Sequence, residues 1–245
     1  MISRSFRVTA ALMASFQAAC SLSSAPSVLR VLARTVDSTK VRLVLASQSP
    51  RRREIFDLMG FEGRYEVIVS SFEETLDKGL YRDENGPARY AMDNAVEKAR
   101  EVATWLASES PDARSTIVVG SDTIVDLDGN ILEKPKSEAE AKAMLRSMSG
   151  RGHWVHSGVG MFKGSSEKPI VAFTESTRVR FASLSDAEID AYVASGEPMD
   201  KAGSYGIQGL GGQLVEGIEG CYFSVMGLPM RRVSTSLCEI LEGGA

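Results

Sequence analysis

The stretch "VRLVLASQSPRRREIFDLM", residues 41–59, joins an apolar segment to a polar turn and a helical pattern. Its first seven residues form a largely apolar run, which is typical of a strand covered on both faces. Ser49 is a good N-cap residue, Pro50 suits the first helical position, and Gly60 ends the helical pattern. The stretch therefore predicts a strand, a short connection and a helix.

The rest of the chain continues this alternation of strand-like and helix-like segments. Residues 87–107 carry apolar side chains at helical spacing and predict a long amphipathic helix, and Asp128-Gly129 predicts a hairpin after a strand that begins near residue 115. We therefore expect a mixed α/β protein with a largely twisted sheet, in one domain with a cleft. Further predicted strands cover residues 64–70, 153–164, 169–184 and 213–218, and further predicted helices cover 137–150, 185–196 and 228–241.

Composition narrows the class of protein. The 245 residues include 43% hydrophobic and 24% charged residues, which is ordinary for a soluble globular protein. A net charge of −4 argues against general nucleic-acid binding, so we expect no nucleic-acid partner. The 3 cysteines are an odd number without CxxC spacing, which predicts reduced thiols. No segment is apolar enough to cross a bilayer, and we expect no membrane partner.

Residues 1–40 predict an N-terminal extension ahead of a domain at residues 41–245. The extension carries several arginines against a single acid, Asp37, and is rich in serine and alanine, as organelle transit peptides are. A weak secretory signal at residues 8–20 and an extension without any targeting role are the alternatives. We expect a cytoplasmic protein, with the mitochondrion or another organelle as the alternative location.

Basic residues gather at the predicted N-terminus of the first helix. Ser47 and Ser49 precede Arg51, Arg52 and Arg53, at an end where backbone N–H groups and the helix dipole favour an anion. Arginines in a first helical turn oppose that dipole, so they suit this position if they hold a polyanion such as a phosphate chain. The alternative is an exposed basic turn that pairs with surface acids. No Walker-type GxxxxGK[ST] sequence is present.

Acidic residues and a lysine form a second group. Asp122 falls at the end of an apolar strand run, where a carboxylate can project into a crevice, and Lys134 follows the predicted hairpin. Glu73 and Glu74 lie on a predicted loop. Carboxylates opposite a basic cradle suit a divalent cation that bridges phosphate oxygens, or one of them can act as a general base. Taken singly, each acid is better interpreted as a cap or a solvated loop residue.

The third group lies in "GEPMDKAGSYGIQGLGG", residues 196–212, where a glycine-dense loop can approach a ligand closely. It carries Asp200, Lys201 and Gln208. A glutamine amide both donates and accepts, which matches the imide edge of uracil or thymine. The alternative is a flexible surface loop.

The two histidines, His153 and His156, are not expected to share a metal. They are three residues apart in a predicted strand, so they point to opposite faces. We interpret both as packing or surface residues, and Trp105 and Trp154 as core or partner-facing aromatics.

Together these segments resemble the Maf family of nucleoside triphosphate pyrophosphatases over residues 41–242. The resemblance implies the inosine-triphosphatase-like α/β fold: an elongated molecule with a mixed twisted sheet, a deep cleft between two lobes, and usually a homodimer. "VSSFEETLDKG" also resembles the Maf-like domain of acetylserotonin O-methyltransferase-like proteins. The matching stretches are "LASQSPRRREIFDLMGF", "VVGSDTIVDLDGNILEKPKSEAEAKAMLRSMSGRGHWVHSGV" and "GEPMDKAGSYGIQGLGGQLVEGIEGCYFSVMGLP".

The resemblance also implies roles for individual residues. Asp122 matches the catalytic acid, Lys134 a lysine near the phosphates, and Glu74 the acidic metal-site position. Mg²⁺ or Mn²⁺ is the implied cofactor, held by Glu74 and Asp122. The positions implied to bind substrate are Ser47, Arg51, Arg52, Lys98, Thr123, Lys201 and Gln208.

The implied reaction is attack of water on the α-phosphorus of a nucleoside triphosphate, which yields the monophosphate and pyrophosphate. Arg51, Thr123 and Gln208 match the branch of the family that acts on dTTP and UTP, and modified pyrimidine nucleotides are possible further substrates. Ser121 stands where that branch commonly has alanine. The alternatives are a 7-methyl-GTP pyrophosphatase of the same family and a nucleotide-binding regulator of cell division.

Overall fold

The computed structural model of the protein describes residues 41–109, 115–164 and 166–242. The predictions for residues 1–40 lie outside these ranges, so the targeting and location of the protein stay predictions. The strands are β1 (Val41–Ala46), β2 (Glu66–Val67), β3 (Ser115–Leu127), β4 (Asn130–Leu132), β5 (Gly152–Lys163), β6 (Val171–Phe181) and β7 (Val215–Glu219). The helices are α1 (Pro50–Phe56), α2 (Gly86–Glu109), α3 (Glu138–Met148), α4 (Asp186–Ala194), α5 (Tyr222–Met226) and α6 (Met230–Glu242).

The strands form one mixed sheet in the order β2-β1-β3-β5-β6-β7, with β4 also paired to β3. β1 runs parallel to β2 and β3, and the other neighbouring strands are antiparallel. The prediction of a mixed α/β protein is confirmed. No helix in the described parts of the chain is both long and apolar enough to cross a membrane.

Helix α2 lies directly on the central strands because glycines face it. A Cβ atom on Gly158 would lie 2.1 Å from the carbonyl oxygen of Ala91, and one on Gly120 would lie 2.4 Å from that of Ala95. Gly160 faces the same helix, and a Cβ atom there would lie 2.7 Å from the Cα atom of Val96. Gly158 and Gly160 are therefore positions where the backbone of β5 approaches that of α2 closely.

Apolar clusters lie towards both ends of β3. Because side chains alternate along a strand, Ile117 and Val125 lie on one face while Val118 and Ile124 lie on the face towards α2. On each face a polar stretch, residues 121–123, separates the two clusters. The middle of β3 is thus buried without being part of a hydrophobic core.

The sheet is open beside this polar stretch. β1 ends at Ala46, which pairs with Gly120, while β4 pairs with β3 only from Val125 onward. Residues 121–124 consequently pair with neither strand at this edge, although they pair with β5 on the other side. The gap lies at the carboxyl end of β1, where α/β sheets commonly bind ligands.

Several local predictions are confirmed. Asp128 and Gly129 have positive φ values of 54° and 83°, as a tight hairpin turn requires. Ser137 caps α3, and Ser185 forms a capping box with Glu188 at the start of α4.

Two local predictions differ from the structure. The predicted strand at residues 64–70 is reduced to Glu66–Val67, because Glu101 of α2 accepts hydrogen bonds from Ser70, Ser71 and Phe72 and draws the chain away from the sheet edge. Ser49 occupies the N-cap position of α1 without a side-chain cap; its N–H instead donates to the hydroxyl of Ser47 at 3.2 Å.

Candidate active site

A cavity of about 320 Å³ occupies the gap in the sheet edge. It is bounded by the connection from β1 to α1, the middle of β3, the end of β4, the loop before α2, and the loop after α4. All residues to which the family resemblance assigns a role line it: Ser47, Arg51, Arg52, Glu74, Lys98, Asp122, Thr123, Lys134, Lys201 and Gln208. The structure therefore brings together groups that are up to 161 residues apart in the chain.

Arg52 is held firmly by uncharged groups. Its Nε donates to the carbonyl of Gly227 at 2.8 Å, and its two terminal nitrogens donate to the hydroxyls of Ser47 and Thr123, each at 3.1 Å. Burial lowers the pKa of Arg52 from its ordinary value, and the neighbouring Asp122 opposes that shift. Because none of its hydrogen-bond partners in the described chain is an anion, the guanidinium keeps its positive charge for a ligand.

Lys98 links two carboxylates across the cavity. Its Nζ lies 2.7 Å from Oδ1 of Asp122 and 2.6 Å from Oε1 of Glu74. The side chain of Asp122 is only 7% exposed, and its second oxygen, Oδ2, is buried without a hydrogen-bond partner among the described residues. A buried carboxylate oxygen without a partner is costly, so it indicates that a ligand, a water or a cation completes this site.

The donor set fits a divalent cation. Glu74 and Asp122 supply hard oxygen ligands, which Mg²⁺ and Mn²⁺ prefer, and Mg²⁺ usually takes only one or two carboxylates along with substrate phosphates and water. No group of three or more histidine, cysteine, aspartate or glutamate side chains suited to a metal occurs within the described ranges. The arrangement therefore fits a cation bound jointly by protein and phosphate.

Asp122 and Thr123 project to opposite faces of β3, yet both line the cavity. Asp122 faces α2, from which Lys98 reaches it, whereas Thr123 faces Arg52 on α1. Both faces share one cavity because, within the described residues, no strand pairs with residues 121–124 at this edge of β3. The hydroxyl of Thr123 also contacts Ser157 at 2.8 Å, so Thr123 acts on the cavity chiefly by holding Arg52.

Arg51 is paired with an acid of the cavity itself. Its Nη1 lies 2.9 Å from Oδ2 of Asp200, whose Oδ1 lies 2.6 Å from Nζ of Lys201. Burial alone would raise the pKa of Asp200, but the hydrogen bonds and positive charges of Lys201 and Arg51 together lower it from its ordinary value. The predicted alternative of arginines that pair with acids therefore applies to Arg51, whereas Arg52 contacts no acid directly.

A network of hydrogen bonds holds the loop at residues 196–212. Glu197 accepts from the backbone N–H groups of Leu210 and Gly211 at 2.8 and 3.1 Å and from the hydroxyl of Tyr192 at 2.9 Å. The same tyrosine hydroxyl accepts from the N–H of Gly206 at 3.1 Å. These bonds hold the backbone on both sides of residue 208, which favours an ordered loop over the alternative of a flexible surface loop.

The remaining predicted residues have simpler surroundings. Lys134 is exposed at the cavity rim and has no hydrogen bond or ion pair with any described residue. Its neighbour Glu133 is held by the hydroxyl of Tyr90 and the ammonium of Lys78, both at 2.7 Å. Glu73 does not line the cavity, which leaves Glu74 as the acid of that loop in the site.

The histidines lie outside the site, as the sequence predicts. His153 is buried and hydrogen-bonds the hydroxyl of Tyr205 at 2.9 Å, and His156 is buried beside Ser176 and Asp126. Burial lowers the pKa of His153 to about 4. Trp105 and Trp154 are partly exposed, 48% and 42%, so neither is a core residue.

Sequence reasoning missed Glu54, Glu101 and Glu197 as supports of the site. Each contacts a segment that carries a predicted site residue: Glu54 the side chain of Gln208, Glu101 the loop before Glu74, and Glu197 the loop around residue 208. The only available signal was that Glu101 lies one helical turn after Lys98, on the same face of α2.

The fold and the cavity define a phosphate-ligand site in an α/β protein, and comparison with known proteins identifies the family. The model of the family described as Maf-like protein matches residues 42–240. The chain therefore belongs to the Maf-like family.

Relatives with assigned names are similar over most of the chain. A dTTP/UTP pyrophosphatase of Bacillus mycoides (strain KBAB4) is 45% identical over 196 residues, which cover 80% of this chain and 94% of the relative. The dTTP/UTP pyrophosphatase of Clostridium perfringens (strain 13 / Type A) is 44% identical over 199 residues, 80% of this chain and 96% of the relative.

A human relative is much longer than this chain. It is named probable bifunctional dTTP/UTP pyrophosphatase/methyltransferase protein and is 44% identical over 204 residues, or 81% of this chain. That match spans 32% of the human protein, about a third of its length.

Among solved structures, a HAM1 protein from Coxiella burnetii has a TM-score of 0.47 and 17% identity, and the match covers 81% of this chain and 99% of the HAM1 chain.

Proposed function

We propose that this protein is a nucleoside triphosphate pyrophosphatase that hydrolyses dTTP and UTP to the monophosphate and pyrophosphate. The observation that carries the proposal is the buried, unpartnered Oδ2 of Asp122 in the same cavity as the cation of Arg52. The two bacterial relatives, similar over nearly their whole length, are named for this activity.

The triphosphate binds on the basic side of the cavity. Arg52 has two N–H groups left after its three hydrogen bonds to Ser47, Thr123 and Gly227, and these can grip phosphate oxygens. Lys134 at the rim adds an exposed positive charge. Because Arg52 is already immobilised, little side-chain entropy is lost when phosphate binds.

Asp122 is the general base of the proposed reaction. Its Oδ2 accepts a proton from water, the water oxygen bonds to the α-phosphorus, and the bond from that phosphorus to the bridging oxygen of pyrophosphate breaks. The leaving pyrophosphate takes the electron pair of the broken bond, and Arg52 and Lys134 stabilise its charge. Lys98 keeps the carboxylate in place through Oδ1.

A divalent cation, Mg²⁺ or Mn²⁺, is part of the proposal. Glu74 and Asp122 are the residues that would hold it, and when bound it supplies Lewis-acid stabilisation of charge on the phosphate oxygens. The homodimer that the family resemblance implies stays a prediction.

The test is product analysis with a panel of nucleotides. Purified protein is given dTTP, UTP, CTP, GTP and 7-methyl-GTP with Mg²⁺ or Mn²⁺, and pyrophosphate and orthophosphate are measured separately. We expect pyrophosphate from dTTP and UTP. Orthophosphate as the first product would place the attack at the γ-phosphorus and refute the proposal, and a preference for 7-methyl-GTP would assign the protein to the alternative substrate.

A further inference from the structure

Gln208 is held through its side chain as well as through its backbone. Its Nε2 donates to Oε1 of Glu54 at 2.6 Å, across the rim of the cavity from α1. Because an ionised carboxylate can only accept, the amide nitrogen must be the end that faces Glu54. The side-chain carbonyl oxygen of Gln208, Oε1, accepts no hydrogen bond from the rest of the described chain.

From this contact we infer that Glu54 is a specificity-determining residue, which sets the polarity of the Gln208 amide so that its carbonyl meets the ring N–H of the base. Uracil and thymine carry a hydrogen on N3, whereas N3 of cytosine carries a lone pair and would repel an acceptor. The inference rests on the proposed function and names the feature of the substrate that the site selects.

The surrounding structure leaves the amide little freedom to turn. Glu197 and Tyr192 fix the backbone on both sides of Gln208, so the side chain begins from a defined place. With the backbone fixed, the side chain can still rotate about its own bonds, and Glu54 opposes any rotation that exchanges the two amide ends by attraction to Nε2 and repulsion of the side-chain carbonyl. A hydrogen bond to a charged group contributes more than a neutral one, even where solvent weakens it.

The experiment compares UTP with CTP in variants of Glu54. Both nucleotides carry the same triphosphate, so their ratio is insensitive to changes in charge that act on phosphate alone. We expect Glu54→Ala and Glu54→Gln to lower the UTP/CTP ratio of kcat/KM about tenfold, the scale of one hydrogen bond. Glu54→Lys should lower it further, because an ammonium attracts the carbonyl and turns the amide nitrogen towards the base. Glu62→Gln, which removes an exposed carboxylate that does not line the cavity, should leave the ratio unchanged.

A double-mutant cycle shows whether Glu54 acts through the amide. In a Gln208→Ala background, the change Glu54→Ala should have no further effect on the ratio. An equal effect of Glu54→Ala with and without Gln208, or a ratio that is unchanged or raised in the single variants, would overturn the inference.

Binding separates this inference from the proposed function. The dissociation constants of the α,β-methylene analogues of UTP and CTP are measured by calorimetry for the same variants. If the wild type binds the UTP analogue more tightly than the CTP analogue and Glu54→Ala does not, the inference is supported even if no pyrophosphate is released. If every variant turns over UTP normally and prefers UTP to CTP by the same factor, the inference about Glu54 is refuted while the proposed function stands.

Discussion

The ammonium group of Lys98 lies 2.7 Å from Oδ1 of Asp122 and so joins helix α2 to the middle of β3. The same group contacts Glu74 at 2.6 Å. One cation thus offsets the repulsion between two carboxylates before any ligand binds. The acidic side of the site is therefore assembled in advance, which lowers the cost of ordering it during catalysis.

Asp122→Asn should lower kcat by about 10²-fold or more, the usual scale for the loss of a general base. The amide cannot take the proton from water, although its volume is nearly unchanged. Steady-state kinetics with UTP and a thermal unfolding curve provide the measurement. Asp190→Asn, at an exposed position of α4 outside the cavity lining, is the matched control and should retain normal turnover. Nearly normal turnover in Asp122→Asn would make Asp122 a structural residue.

Arg52→Ala should raise KM and also lower kcat, because it removes a charge-assisted contact to phosphate and releases Ser47 and Thr123. The neighbouring Arg53→Ala is the control, since Arg53 is exposed and does not line the cavity. Equal effects of the two substitutions would mean that general positive charge, not the held guanidinium, binds the triphosphate.

Glu101→Gln should loosen the loop that carries Glu74. Glu101 accepts from Ser70, Ser71 and the N–H of Phe72, and these bonds to its ionised carboxylate lower its pKa despite burial. We expect a severalfold rise in the Mg²⁺ concentration that gives half-maximal activity, with a smaller change in kcat at saturating Mg²⁺.

The control for this substitution lies one turn earlier on the same helix. Glu97→Gln removes a carboxylate that pairs only with Arg100 among the described residues, so the Mg²⁺ requirement should stay unchanged. A loss of kcat in Glu101→Gln without any shift in the Mg²⁺ requirement would assign Glu101 a role other than positioning Glu74.

His153 should make stability depend on pH. Its pKa is lowered to about 4 in the folded protein by burial, against about 6.5 in the unfolded chain. Between about pH 4 and pH 6.5 the unfolded state binds more protons at His153 than the folded state does. The contribution of neutral His153 to the free energy of unfolding is therefore complete above about pH 6.5 and decreases as the pH falls towards about 4. His153→Phe should reduce the loss of unfolding free energy between about pH 7 and about pH 5 by roughly 2 kcal/mol, as measured by urea titration. If the wild type and His153→Phe showed the same pH dependence, the pKa of His153 would be the same in the folded and the unfolded protein.

The parts of the fold that depend on neighbouring residues could be predicted from the sequence. The cap at Ser185, the turn at Asp128-Gly129 and the strand before Ser47 each depend on a few adjacent side chains and were found. The basic loop was predicted because its charge conflicts with its position at a helix N-terminus unless a ligand binds. Asp122 was predicted only in combination with that loop and through the family resemblance.

Contacts across the fold could not be predicted in the same way. Glu54 and Gln208 are 154 residues apart, and nothing in either segment shows that they meet. The extent of β2 also depends on a distant residue, Glu101, which competes with the sheet for the same chain. Such pairs depend on strand order and on how α2 lies on the sheet, which local patterns do not specify.

The three glycines under α2 have a consequence for protein engineering. The backbone of α2 contacts the backbone of the sheet directly at Gly120 and Gly158. The distance between the helix and the sheet therefore does not depend on the size of an apolar side chain packed between helix and sheet. Substitutions that increase stability elsewhere in the core should therefore leave the reach from Lys98 to Asp122 intact. A single methyl group at one of these glycines would instead act as a spacer, separating the acid from the lysine while every residue of the active site remained in the sequence.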